Sequence, residues 1–410
     1  MNVSERLGVN RVVLALSVAR LGDAIGNSIL FVIIPLYVAE LPAPWFHLHE
    51  SVRVGILISL YGIVNSLLQP LMGSLSDHFG RRKLFIQLGL LLMAAGTFLF
   101  IFASRFLDLL ALRSIQGVGV ALTIPASLAL MASATRKRSR GSSMGVYSTM
   151  RIVGFATGPL IGGILHVHYG FNAAFLAGAG FVILGMIIVQ LWIHEAPVEN
   201  SASSESPARR RRPRFALIDR DLLSGGIASL GVATFVMAAV FTMMSTLEVQ
   251  FNERLDQTAF AFSVAFSALM VSRLLSQIPL GHLSDRIGRK PLIIVGLLLM
   301  APTTALLGEV TSTLQLTGLR LLQGLASAGI AAPSFALAAD LTRTGGEGRQ
   351  MSIVTMGFGL GIAVGPLIAG VLAVVSFELP FLIGGGLSLL AAWIVHKRVP
   401  ETVRRSRLTG

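Results

Sequence analysis

Gly73-Ser74-Leu75-Ser76-Asp77-His78-Phe79-Gly80-Arg81-Arg82-Lys83 interrupts a long apolar run. The chain writes it a second time as Gly281-His282-Leu283-Ser284-Asp285-Arg286-Ile287-Gly288-Arg289-Lys290-Pro291. Gly, Leu, Ser, Asp, Gly and Arg recur at an offset of 208 residues, and each copy lies between two hydrophobic runs. Glycines, one acid and several cations between two apolar helices read as a tight loop at a membrane surface. Two copies predict a duplicated bundle of membrane helices.

Composition agrees. The chain is 53% hydrophobic and 13% charged, with a mean hydropathy of +0.75. Soluble domains carry roughly 25% charge. Twelve apolar runs of spanning length stand at about 12–38, 53–75, 84–104, 108–133, 143–165, 172–194, 221–246, 258–281, 292–309, 316–339, 350–374 and 380–396. The first is too long for a cleaved leader and has no small-residue cleavage site, so it reads as helix one. The sequence has no cysteine, which excludes disulfides, thiolate metal sites and cysteine nucleophiles.

The net charge of +13 does not point to nucleic acid. With the N-terminus inside, 25 of 33 Lys and Arg fall in cytoplasmic segments, and only Arg53, Arg105 and Arg254 in outer loops. That bias puts both termini in the cytoplasm of a multi-pass inner-membrane protein. The long connection 195–220 is rich in Ser, Pro and Arg. It reads as a flexible linker between an N-terminal half, 1–194, and a C-terminal half, 221–410, which ends in a short basic tail. Within the linker, Arg209 to Arg212 serve as a positive-inside determinant or rest on anionic headgroups.

The halves match beyond the opening stretch. Arg113-Ser-Ile-Gln116-Gly117 returns as Arg320-Leu-Leu-Gln323-Gly324, and Gly154-x-x-x-Gly158-Pro159-x-x-Gly162-Gly163 as Gly361-x-x-x-Gly365-Pro366-x-x-Ala369-Gly370, both at an offset of 207. Two similar halves around a central route are the geometry of alternating access.

These motifs resemble those of the major facilitator superfamily over nearly the whole chain. The stretch around Gly73, Asp77, Gly80 and Arg81, with Gly281, Asp285, Gly288 and Arg289 in the repeat, is similar to that family's signature loop. Arg113, Gln116, Gly117 and Gly119 resemble its second motif. Gly154, Gly158, Pro159, Gly162 and Gly163 look like the motif of exporters that exchange substrate for protons. Asp23-Ala24-Ile25-Gly26, running to Pro35, resembles the first helix of twelve-span drug:proton antiporters, tetracycline pumps among them. The resemblance implies an all-α fold of twelve transmembrane helices in two pseudo-symmetric six-helix halves. It implies that Asp77 latches span two to span eleven in the outward-open state, that the span-five glycines pack against span eight, and that Arg113 takes part in proton transfer or in sensing Asp protonation. It also implies a monomer.

The membrane-embedded charges carry the functional reading. Asp23 is the only acid well inside a span, roughly 18 Å along helix one. An intramembrane carboxylate is expensive unless paired, protonated or wet. Arg20, three residues earlier, is a partner within reach. Either the two form a structural pair or Asp23 couples transport to protons. In span seven the equivalent place, around Gly231, holds no acid. Arg20, Arg113, Arg151, Arg273 and Arg320 are all intramembrane, with Glu309 or a carbonyl as the expected partner of Arg320. Surplus positive charge would favour an anionic cargo, unless the arginines snorkel or pair with Asp108, Glu309 or Asp340. Asn27, Tyr61, Asn65, Gln69, Tyr147, Met244 and Gln277 are further cavity candidates.

No metal-ligand cluster, catalytic triad or nucleotide loop is legible, so neither an enzyme nor a cofactor is expected. The leading reading is a secondary active, proton-coupled antiporter exporting a small molecule or drug. The alternatives are a proton-coupled importer or facilitator of a sugar or organic acid, and an exporter of an anionic metabolite or lipid. A receptor or scaffold would not need repeated hinge motifs or a buried Asp23.

Overall fold

A computed structural model describes residues 10–42, 48–135, 139–193, 225–341 and 347–402. The expected linker 195–220 and the last eight residues of the tail lie outside them. The described residues are helical throughout their long elements. In chain order these are α1 (Arg11–Glu40), α2 (Glu50–Phe79), α3 (Arg82–Leu99), α4 (Phe106–Ala134), α7 (Gly225–Thr246), α8 (Ala259–Ile287), α9 (Arg289–Ala305), α10 (Thr313–Leu341), α11 (Glu347–Leu372) and α12 (Leu379–Arg398). Between α4 and α7 one element, Arg140–Trp192, carries two spans. It folds back at Gly170, whose φ of 78° and ψ of −175° favour a residue without Cβ, giving α5 (140–169) and α6 (171–192). A short helix, Glu248–Leu255, extends α7.

Packing repeats between the halves. α1 lies on α5 as α7 lies on α11, α2 on α4 as α8 on α10, and α3 on α4 as α9 on α10. Two further pairs join the halves, α2 with α11 and α5 with α8. α1 and α7 are 83% buried over their apolar windows, against 67% or less in the others. These two helices therefore form the axis, and polar groups in the middle of their spans are held away from lipid.

The start of α1 marks one end of the bundle, where Asn10 Nδ2 donates to Ala134 O at the end of α4. Near the end of the chain, Lys290 Nζ donates to His396 O. This is the terminal face; the opposite end is the far face.

The halves meet near the far face. Ser51 Oγ donates to Gly370 O, and Leu367 N donates to Ser59 Oγ. A Cβ at Gly55 would lie 2.6 Å from Pro366 O, and one at Gly62 would lie 2.9 Å from the Ala363 Cα. Phe31 of α1 stacks on Phe266 of α8 with ring centres 6.1 Å apart. This apolar closure excludes water from the far end.

The opening stretch is not the tight loop expected. Gly73 to Phe79 continue α2, and the turn is confined to Gly80, at φ 64°, and Arg81. In the repeat Gly288 alone makes the turn, at φ 111°, and α9 starts at Arg289. A helix can run on because its last turn lies at the polar surface, where charged side chains reach water.

Candidate functional site

The one-residue difference between the turns moves the cations. Arg82, not Arg81, is the counterpart of Arg289: Arg82 Nη1 donates to Ala129 O and Arg289 Nη1 to Ala336 O. Arg82 also meets Asp77 at 3.3 Å, and Arg289 meets Asp285 at 3.5 Å and, more closely, Asp340. Arg81 is exposed. Asp77 is itself largely in water, with a 64% exposed side chain. Gly73 admits Pro125 of α4, 3.2 Å from a would-be Cβ, whereas Gly281 faces open space.

The span-five glycines pack differently from expectation. Gly154 and Gly158 lie against α1, where a Cβ would come within 2.5 Å of Ala24 Cβ and 1.9 Å of Ser28 Oγ; Gly162 lies against Ile29. Spacing by four keeps these three on one face. Only Gly163, about 100° further round, meets α8, at Ser263. Pro159 lies within the same helix.

The same contacts set the register between halves. Gly361 and Gly365 rest on Phe235 O, Ala238, Ala239 O and Thr242, as Gly154 and Gly158 rest on Leu21 O, Ala24, Ile25 O and Ser28. The α1 to α7 offset is thus 214, seven more than between α5 and α11. The counterpart of Asp23 is therefore Met237, not Gly231. Thr234 stands in for Arg20 and donates to Val354 O.

Asp23 is 4% exposed and makes a very short ion pair, Oδ2 to Arg20 Nη1. Its Oδ1 has no partner among the described residues. The Arg20 guanidinium also lies 5.7 Å from the Tyr147 ring. Arg20 and Asp23 share a cavity of about 90 Å³ with Asn27, Tyr61, Asn65 and Arg151. One water needs only about 10–15 Å³ on that measure, so the cavity has room for water. Gly359 and Ile362 of α11 close it, which places it between the halves. A buried ion pair adds little stability by itself.

Arg151 continues into a smaller compartment of about 30 Å³, shared with Arg273 and the rings of Phe155, Phe241 and Phe358. Its guanidinium lies 5.5 Å from the Phe358 ring. None of the ion pairs between described residues includes Arg151 or Arg273. Gln277 lies outside both compartments, and Met244 is core.

Arg113 and Arg320 are fully buried. Arg113 donates to Gln116 Oε1 at 3.0 Å, Gln116 to Thr97 Oγ1 at 2.9 Å, and Thr97 to Met93 O at 2.8 Å. Arg320, Gln323, Thr304 and Met300 repeat this chain at 2.9, 3.1 and 2.6 Å. Gln323, not Glu309, is therefore the partner of Arg320. Asp108 caps the start of α4 by accepting from Arg105 N. The acid that sequence reading missed is Glu248, 0% exposed just past the end of α7.

A profile described as the Major Facilitator Superfamily matches residues 16–275 and again residues 230–409. The chain belongs to the major facilitator superfamily. Its fold is that superfamily's, and the protein is a multi-pass membrane transporter of small molecules rather than an enzyme. The chain is 27% identical over 323 residues to the multi-drug resistance efflux pump PmrA of Streptococcus pneumoniae serotype 4, covering 78% of this chain and 79% of that one. It is 27% identical over 375 residues to the multidrug resistance protein MdtG of Salmonella dublin, covering 89% of each. Among solved structures it is similar to a bacterial homolog of the human lysosomal transporter Spinster, with a TM-score of 0.77, 15% identity and 97% of both chains covered. It is also similar to a D-xylose–proton symporter, with a TM-score of 0.76, 18% identity, and 95% and 98% covered. At these identities the structural likeness is one of fold alone. Within this major facilitator fold, the buried Asp23–Arg20 pair borders the cavity at the seam of the halves.

Proposed function

We propose that this transporter is a proton-coupled exporter working by alternating access. The observation that carries the reading is Asp23. It is buried in mid-span, pairs with Arg20 through one oxygen, and borders a cavity between the halves with room for water. A carboxylate caught between burial and a cation can exchange its proton for cargo. Arg113 serves proton transfer from its buried place beside Tyr61, 5.2 Å from the ring. The efflux-pump name of the PmrA relative supports the outward direction. With both termini in the cytoplasm of an inner-membrane monomer, the terminal face is the inner one. The structure is then closed outside, with the Asp77 clasp released. The 1–194 and 221–410 halves rock about the cavity.

The test is proton release from purified protein in detergent as candidate drugs are added, wild type against Asp23→Asn. Release that disappears in the variant supports coupling at Asp23. Equal release from both moves the proton site elsewhere. No release with a compound shown separately to bind turns the reading toward a facilitator.

A second reading has its own observation. Arg151 and Arg273 face one compartment without carboxylate partners, which suits an organic anion. The cargo would then be an organic acid that is imported or facilitated, or an anionic metabolite or lipid headgroup that is exported. A transport assay that prefers an organic cation, with Arg151→Ala and Arg273→Ala harmless, removes this reading.

A further inference from the structure

Among the described residues, Asp23 and Glu248 are the only buried acids. The coupling scheme uses the first and leaves the second unexplained. Glu248 lies beyond the α7 span, at the start of the short helix Glu248–Leu255. It is 0% exposed, and neither carboxyl oxygen has a hydrogen-bond partner among the described residues. Leu247 and Phe251 beside it belong to the apolar cluster that holds Phe31, Phe262 and Phe266 at the far closure.

Among the described residues no cation pairs with this group. The short helix packs on α1 and α8. At the far end of α1, Tyr37 donates its hydroxyl to Ala103 O at 2.9 Å, and Glu40 is exposed. On α8 the first titratable side chain is Arg273, roughly 21 Å along the helix and on the central compartment. On the short helix itself Glu253 is exposed, and Arg254 is engaged with Glu378 at 2.6 Å. Among the described residues Asn252, one turn on, offers a side-chain hydrogen bond, but burial dominates and pushes the Glu248 carboxyl well above the usual range. An unpaired carboxylate in such surroundings takes a proton instead of staying charged.

We propose that Glu248 is a proton-binding residue of the far gate, protonated while the far end is sealed and released to water when that end opens. The proposal rests on the alternating-access reading. Its proton is separate from the one on Asp23: it enters from and returns to the far side, so it sets the gate's equilibrium without crossing the membrane. Because the sealed state holds the proton more tightly, acid on the far side favours sealing. That advantage is complete below the open-state pKa and fades as pH rises through the sealed-state pKa.

The chain has no cysteine of its own, so two can be placed freely. Spin labels at Tyr169→Cys and Leu314→Cys, 74% and 82% exposed on the far face of the two halves, report its opening. Labels at His78→Cys and Ile287→Cys report the terminal face. In otherwise unaltered protein the far-face distance lengthens as pH rises from about 5 to 9, the open-to-sealed ratio changing up to about tenfold per pH unit. Glu248→Gln and Glu248→Met hold the short distance across the range. Repeating the series with Asp23→Asn removes the other buried acid, and the difference persists. A Glu248→Gln profile that superimposes on the parent overturns the proposal while leaving alternation intact. If neither label pair moves at any pH, or with the wedge Gly62→Leu, alternation itself fails and the proposal falls with it.

Discussion

Arg113 and Arg320 hold the same place in the two halves, yet Arg113 faces the Tyr61 ring at 5.2 Å while Arg320 faces Phe266 at 5.4 Å. Each guanidinium is anchored by one glutamine. Gln116→Leu and Gln323→Leu should each remove a buried, charge-assisted hydrogen bond worth about 1.5–3 kcal/mol. Because the two sites sit in different halves, their losses should add to within about 0.5 kcal/mol. Thermal unfolding in detergent measures both. A neutral Gln323→Leu would show that Arg320 is held by its aromatic neighbours instead.

Gly158 has no room for a methyl group. Gly158→Ala places a Cβ 1.9 Å from Ser28 Oγ and 2.7 Å from Ile25 O, so α1 and α5 must part. Overpacking of this kind costs about 1–3 kcal/mol. Gly180→Ala meets nothing within 4 Å and should stay within about 0.5 kcal/mol of the parent. Equal melting temperatures for the two variants would contradict the close α1–α5 contact.

Arg20 and Asp23 should behave as one unit. Arg20→Ala leaves a buried carboxylate without its cation, a loss of about 3–5 kcal/mol. Adding Asp23→Asn should restore part of it, with a coupling above about 0.5 kcal/mol. Strict additivity in the cycle would mean that the ion pair is absent in the membrane.

The sequence showed the spans because hydropathy is averaged over twenty residues and tolerates local error. It showed Asp23 and Arg20 because a charge inside an apolar run is conspicuous. Arg82 was hidden by its identical neighbour Arg81: only the length of the turn after Gly80 decides between them. Glu248 was hidden because Glu248-Val249-Gln250 reads as the polar end of a span, and burial there comes from α8 and from α1, which is distant in sequence. Met237 was missed because the glycine contacts, not the motif offset, set the register of α7. The glycine stripe pointed to a close helix but could not say which one.

Gly62 offers a way to move the far closure. In Gly62→Leu the new side chain begins 2.9 Å from the Ala363 Cα, between α2 and α11. An overpacking cost of about 1–3 kcal/mol falls on the sealed state alone. Thiol labelling at Ser267→Cys, a buried site in the far closure of this cysteine-free chain, should speed up by about tenfold. Unchanged labelling would place the moving seam elsewhere.

The seven-residue slip between α1 and α7 has a consequence for the ancestry of the chain. Seven residues are nearly two helical turns, so the slip preserved the face that each helix turns toward its glycine partner. Length could drift after duplication only in steps that kept this face, while side chains diverged freely on a shared scaffold. At the register positions of Asp23 and Arg20, α7 carries Met237 and Thr234. The two halves thus share their joinery, while the buried ion pair stands in one of them.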